Sequence, residues 1–221
     1  MQLQRLNELL LEVQDRSFYV RHHPRNCCPL ESLGDLSSLP LLTKDQVLGE
    51  AAGHPALIFD LPRTDYTRLH QTSGTKGFPM TVLDTPSDWA WWLTCWDYVL
   101  DAAEVQRDDV AMMAFSFGPF IGFWTANDAL VRRGTTVVPG GGMTSQQRIQ
   151  MISDHGCTVL CCTPTYALHL GAVADKHDID LTKTAVRRII VAGEPGGSTP
   201  SVRNRLEATW GACVVDHAGA S

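Results

Sequence analysis

The chain has 221 residues, of which 44% are hydrophobic and 19% charged, with a formal net charge of −6. That length suits one large domain, or one and a half small ones, and there is ample apolar surface to offset the entropy of ordering, so a disordered chain is excluded. An acidic balance with no basic run argues against nucleic-acid or anionic-membrane partners. No stretch reaches the roughly 18 consecutive apolar residues that span a bilayer.

The first 70 residues read as an irregular, partly helical segment. Leu3 to Gln14 has the pattern of an amphipathic helix carrying acids, unlike a signal peptide. A stretch rich in Pro and Cys follows. Thr43 then caps a short helix that Gly53 stops. Residues 71–221 read as one α/β part. Met80 to Leu83 has strand character. Ser87 is placed to cap a helix with Trp89, Trp92, Leu93, Trp96, Leu100 and Ala103 on one face. Strand-length apolar runs follow at Val110–Phe115, Thr135–Val138, Thr158–Cys162, Arg188–Val191 and Cys213–Val215. Helical patterns fill the gaps. One spans Phe120 to Arg133 before Gly134, and another starts at a Ser145 cap. Thr163-Pro164 and Thr199-Pro200 each put proline at a first helical position, and Gly211 ends the last helix. Short strands apolar on both faces, alternating with helices, imply a doubly wound, mostly parallel sheet covered by helices.

Seven cysteines give an odd count with no disulfide spacing, so reduced, mostly buried thiols in a cytoplasmic protein are expected. His155, Cys157, Cys161 and His169 do not form the paired C-x-x-C pattern of a zinc site.

The segment His70-Gln-Thr-Ser-Gly-Thr-Lys-Gly-Phe-Pro-Met80 concentrates three hydroxyls, two glycines and a lysine. Glycines let backbone N–H groups wrap an anion, and Thr72, Ser73, Thr75 and Lys76 add donors. An ordinary polar turn is the bland alternative. It is not a Walker loop, because Pro79 and a strand follow rather than a helix. A glycine-rich hairpin-like loop fits better.

This run resembles the phosphate-binding loop of the adenylate-forming (ANL) superfamily, Ser/Thr-Ser/Gly-Gly-Ser/Thr-Ser/Thr-Gly-x-Pro. Thr72, Ser73, Gly74, Thr75, Gly77 and Pro79 match, while Lys76 stands where a hydroxyl is usual and Met80 where many members have lysine. Val191-Ala-Gly-Glu-Pro-Gly resembles the adenine-side loop of phenylacetate–CoA ligase-like members. Asp216-His-Ala-Gly-Ala-Ser resembles the later Y-G-x-S/T-E motif, with His217 in the aromatic position. Phe115-Ser-Phe-Gly-Pro-Phe-Ile-Gly resembles the loop lining the acyl pocket. The likeness covers roughly residues 60 to 221.

The resemblance implies a two-step acid–CoA ligase using ATP, Mg²⁺ and coenzyme A on an aromatic acid such as phenylacetate. Thr72, Ser73, Gly74, Thr75, Lys76 and Gly77 would hold phosphates. Gly193, Glu194, Pro195, Asp216, His217, Ala218 and Gly219 would border the nucleotide, and Phe117, Gly118 and Phe120 the acid. A Mg²⁺-binding glutamate is expected just after Ser221. The ribose-binding aspartate, hinge and catalytic lysine are expected further on, so no catalytic residue is assigned here, and an incomplete large domain, inactive alone, is expected. Glu194 as an ordinary strand-end acid and His217 as a structural histidine are the alternatives at those positions. Two rival functions stand beside the ligase: an adenylating enzyme with a carrier-protein or amine acceptor, and a short non-catalytic nucleotide-binding module. Exposed sheet edges leave room for a homodimer.

Overall fold

The computed structural model describes residues 1–23, 28–48, 54–72 and 79–219, and the chain divides into two compact units, Met1–Pro86 and Ser87–Ser221. Among the described residues no helix is long and apolar enough to cross a membrane.

The first unit carries helices α1 (Gln2–Val13), α2 (Ser17–His22) and α3 (Lys44–Val47), then strands β1 (Arg68–Gln71) and β2 (Thr81–Asp84). α1 buries Leu10 and α2 buries Phe18. The Asn7 side-chain amide pairs in both directions with the Leu30 backbone, at 2.9 and 2.8 Å. Arg16 bridges to Asp60 at 3.1 Å. The Thr43 cap is present as a box with Gln46, but α3 ends at Val47, with Leu48 already extended, well short of the expected stop at Gly53, which itself lies outside the described residues. β1 and β2 form an antiparallel hairpin with Gln71 opposite Thr81.

Helix α4 (Pro86–Ala102) begins at the last residue of the first unit and otherwise belongs to the second. Strands β3 (Val110–Met113), β4 (Thr136–Pro139), β5 (Val159–Cys162), β6 (Arg188–Val191) and β7 (Cys213–Asp216) then alternate with α5 (Trp124–Arg133), α6 (Ser145–Asp154), α7 (Pro164–Lys176) and α8 (Pro200–Trp210). The five strands form one parallel sheet in the order β4-β3-β5-β6-β7. Alternate residues serve opposite faces. Met112, Leu160, Cys162, Ile189, Val191 and Val214 pack with Ile149, Leu170, Leu206 and Trp210 of α6, α7 and α8. Ala111, Met113, Val159, Cys161 and Ile190 pack with Leu100 and Leu130 of α4 and α5. Cys157 and Cys161 thus belong to opposite faces of the sheet, and both thiols are pushed up by burial, to about 11 and about 12.

Local differences from the sequence reading have simple causes. Ser87 lies inside the first turn of α4, which begins at Pro86. Thr144, not Ser145, caps α6, because it can form a box with Gln147 three residues on. α5 begins only at Trp124, since Gly118 and Gly122 interrupt the apolar pattern and the Trp124 indole N–H donates back to the Gly118 carbonyl at 3.0 Å. Gly134 and Gly211 close α5 and α8 in left-handed conformations (φ +88° and +65°). Trp89, Trp96 and Leu100 are buried on α4 as the stripe implied, whereas Trp92 and Leu93 are half-buried.

Below the sheet, Asp109 anchors the amino ends of the strands. Its carboxylate accepts from the Gln106 N–H (2.7 Å), the Thr158 hydroxyl (2.6 Å) and Arg187 (2.6 Å). The two crossovers that leave β3 and β5 run in opposite directions, one to β4 and one to β6. Open α/β sheets bind ligands at such a reversal, outside the carboxyl ends of the strands, here β3 and β5.

Candidate functional site

Three loops of the second unit meet at the carboxyl edge of β5, β6 and β7. After β5, Thr163 caps α7, its hydroxyl accepting from the Tyr166 N–H at 3.3 Å. After β6 the chain turns through Gly193 (φ +90°) and brings back Glu194, whose Oε1 accepts the Thr165 N–H at 2.7 Å. Burial pushes the Glu194 carboxyl up, but hydrogen bonds from the Thr165 hydroxyl and N–H and from the Thr163 hydroxyl outweigh it, and the group is held below the ordinary glutamate range. A carboxylate therefore sits at the start of α7, where the helix dipole favours it.

At the end of β7, the Asp216 carboxylate accepts from the Ser198 hydroxyl at 2.6 Å. Gly197 fits between the strands only as glycine. A Cβ there would lie 2.4 Å from Val191 Cγ2 and 2.7 Å from Asp216 Cγ. The His217 N–H continues the ladder to the Val191 carbonyl at 2.9 Å, and its ring meets the edge of Trp96 with centroids 4.6 Å apart. Burial lowers the His217 pKa against the opposing pull of Asp216, so the ring is neutral at pH 7.

The loop after β3 is aromatic. Phe115 and Phe117 pack at 4.6 Å, and Phe117 meets Trp124 edge-on at 4.4 Å. Phe120 is 52% exposed and lies against Gly118 rather than in that cluster.

The hairpin loop belongs to the first unit. Thr72 closes its base: its N–H donates to the Met80 carbonyl and its hydroxyl accepts from the Met80 N–H, both at 3.0 Å. Ser73, Gly74, Thr75, Lys76 and Gly77 lie outside the described residues.

The second unit therefore brings Gly193, Glu194, Pro195, Asp216, His217, Ala218 and Gly219 onto one sheet edge, with Phe117 and Gly118 on the loop after β3, which β5 separates from β6. Sequence reading did not assign Thr165 or Ser198, each a partner of one of these acids. The Thr-Pro-Thr-Tyr run after a strand was the available signal for the first. Nothing local signalled the second, 18 residues from Asp216.

The model of the family described as AMP-binding enzyme matches residues 34–219. The chain belongs to the AMP-binding enzyme family. Among its relatives, phenylacetate–coenzyme A ligase of Aromatoleum evansii is 31% identical over 192 residues, covering 87% of this chain and 42% of the relative. The phenylacetate–coenzyme A ligase of Pseudomonas putida is 28% identical over 224 residues, covering 100% of this chain and 50% of the relative. A crystal structure of 2-hydroxyisobutyryl-CoA ligase with 2-HIB-AMP and CoA superposes with a TM-score of 0.87 at 25% identity, over 97% of this chain and 47% of that one. The chain spans about half the length of the curated relatives it matches.

The sheet edge suits the nucleotide of an AMP-binding enzyme. It offers hydroxyls at Thr163, Thr165 and Ser198, a carboxylate at Asp216, a flat neutral ring at His217, and glycines that keep side chains out of the loop. For Mg²⁺ the fit is different. Among the described residues, no group of three or more His, Cys, Asp or Glu side chains could hold a metal ion.

Proposed function

We propose that the protein carrying this chain is an ATP-dependent acid–CoA ligase of the phenylacetate–CoA ligase type, acting on an aromatic carboxylic acid. The observation that carries this reading is that one α/β unit presents the polar β6–β7 edge and, across β5, the aromatic β3 loop at the same carboxyl end of its sheet, in a member of the AMP-binding enzyme family whose curated relatives are named for that reaction. In the first half-reaction a carboxylate oxygen of the acid bonds to the α-phosphorus of ATP, and pyrophosphate leaves. In the second the coenzyme A sulfur bonds to the acyl carbon, and AMP leaves.

The residues divide the work. Thr72, Ser73, Gly74, Thr75, Lys76 and Gly77 hold phosphate oxygens through N–H groups, hydroxyls and charge. Gly193, Glu194 and Pro195 border the base, with Glu194 fixing the loop through Thr165. Asp216, His217, Ala218 and Gly219 border the opposite side, His217 offering a ring that Trp96 holds in place. Phe117 and Gly118 line the acid pocket, and Phe120 covers its mouth. Mg²⁺, when bound, would neutralise phosphate charge; its protein ligand is sought outside the described residues. A cytoplasmic location, with reduced cysteines, accords with the acidic chain and its buried thiols.

The test is ATP–pyrophosphate exchange followed by acyl-CoA formation, with phenylacetate, benzoate and a straight-chain acid. Aryl-dependent exchange and thioester formation are the expected result. Exchange without thioester would move the acceptor away from coenzyme A, and no exchange with any acid would overturn the reading.

A further inference from the structure

A group of side chains that the proposed ligase does not use joins the opening turns of α6 and α7. The Ser145 hydroxyl lies 3.0 Å from the Tyr166 hydroxyl and 3.1 Å from His169 Nε2. Ser145 is the first residue of α6. Tyr166 and His169 stand three positions apart on α7, so they share one face, with ring centroids 5.7 Å apart.

The local sequence leaves the serine available for these contacts. Thr144 caps α6: its hydroxyl accepts from the Gln147 N–H at 3.3 Å, and the Gln147 side chain closes the box. Ser145 has no capping duty, and among the described residues its hydroxyl bonds to side chains only. Tyr166 is held from two sides. Its N–H donates to the Thr163 hydroxyl at 3.3 Å, and the Arg148 guanidinium carbon lies 5.0 Å from its ring centre.

His169 is exposed, and among the described residues no carboxylate lies within ion-pair distance of it. Nor does it join any metal-holding group there. Its hydrogen-bond partner is the serine. With the imidazole proton on Nδ1, the Tyr166 O–H donates to Ser145 and the Ser145 O–H donates to His169 Nε2. The ring nitrogen then stands as acceptor of the serine proton, which is the relation of a nucleophile to its base. As the first residue of α6, Ser145 also lies at the positive end of the helix dipole, which favours charge building on an attacked carbonyl oxygen.

We propose that Ser145 is a nucleophile, with His169 as its general base and Tyr166 as its positioning residue, and that it takes the acyl group of small activated esters. None of the three has a role in the proposed ligase, so the two readings are independent. The serine oxygen bonds to the acyl carbon as the bond to the leaving alkoxide breaks. Its proton passes to His169 Nε2 and on to that alkoxide. Water then attacks the acyl-serine, giving its proton to His169, which returns one to the serine as the acid leaves.

The experiment treats the protein carrying this chain with diisopropyl fluorophosphate, whose phosphorus bonds to an activated serine as fluoride leaves, and separately with p-nitrophenyl acetate. Peptide mass mapping should find the phosphoryl group on Ser145, and p-nitrophenol should be released. Ser145→Ala should abolish the label and slow release about a hundredfold, and His169→Gln should slow labelling by a similar factor. Tyr166→Phe keeps the ring and loses the hydroxyl, and should slow labelling about fivefold. Circular dichroism checks the fold of each variant. His169→Gln, at an exposed position, decides the matter if Ser145→Ala does not fold. A label elsewhere, release that survives Ser145→Ala, or wild-type labelling of His169→Gln would each overturn the nucleophile. Pyrophosphate exchange with phenylacetate should be unchanged in Ser145→Ala, and its loss in parallel with the label would make the serine a structural support only. Exchange by an unlabelled wild type sinks the nucleophile alone. A labelled wild type without exchange supports the nucleophile and sinks the ligase.

Discussion

The Thr165 N–H donates to Glu194 Oε1 at 2.7 Å, tying the start of α7 to the loop that follows β6. The two residues are 29 positions apart, so the contact fixes the spacing of two crossover loops at the sheet edge. It also fixes the ionisation of Glu194, whose hydrogen bonds outweigh the burial that opposes them.

Replacing Glu194 with Gln should therefore loosen the loop and flatten the acid limb of stability. A carboxyl held below its unfolded value stabilises the fold above that value, about 4.3 for glutamate, and the stabilisation is lost as pH falls through the folded value. Urea melts of wild type and Glu194→Gln across that window should converge at the acid end. Curves that stay parallel would show that the carboxylate does not act this way.

Asp109 gives a pH dependence of the same sign. It is 4% exposed, and its three donors lower its pKa despite burial. Asp109→Asn loses charge-assisted bonds to Arg187 and Thr158 and should cost about 1.5–3 kcal/mol at neutral pH. The difference should shrink as pH drops through the folded value of the aspartate, since its contribution is present above about 3.9 and lost below. Chemical denaturation at pH 7 and in acid measures both.

Gly197→Ala should destabilise by overpacking, because the new methyl would fall 2.4 Å from Val191 Cγ2. The expected cost is about 1–3 kcal/mol, and a calorimetric melt should fall by several degrees. An unchanged melting temperature would mean that the β6 loop yields freely.

Phe117 and Phe120 should behave differently. Phe117 packs on Phe115 and Trp124, whereas Phe120 is half exposed. Phe117→Ala should raise the KM for an aryl acid about tenfold, ~1.4 kcal/mol of lost binding. Phe120→Ala should change it much less. Steady-state kinetics on the proposed ligase reads both, and equal effects would relocate the acyl pocket.

His217 should titrate below an ordinary histidine, near 6.5, because burial disfavours its charged form more than Asp216 favours it. Its ring signal in a proton–carbon NMR titration should show a midpoint under that value. Substituting Asp216 with Asn removes the opposing charge and should move the midpoint lower still. As pH falls below 6.5, the unfolded chain takes up this proton first, so His217 makes the fold less stable in mild acid.

Much of this was legible because it is local. A strand in a covered parallel sheet must be apolar on both faces, and runs such as Val159-Leu-Cys-Cys162 carry that mark in four residues. Proline after Thr163 marks a helix start, and the order of the loop motifs points to the family without any tertiary contact. Where local signals compete, the element boundary moves by a few residues. Thr144 took the cap from Ser145 through a box with Gln147, and two glycines delayed α5 to Trp124.

Amino-acid order by itself determined the alternation of strands and helices, the polar edge that follows each strand, and the family, since each rests on neighbours a few positions apart. Only the tertiary structure decided which residues meet at that edge: Thr165 with Glu194, Ser198 with Asp216, and Trp96 with His217. The physical reason lies in the crossovers. A parallel sheet makes every neighbouring loop distant in sequence, so the hydrogen bonds and burial that set charge and conformation at the site arise from pairings that no local pattern encodes.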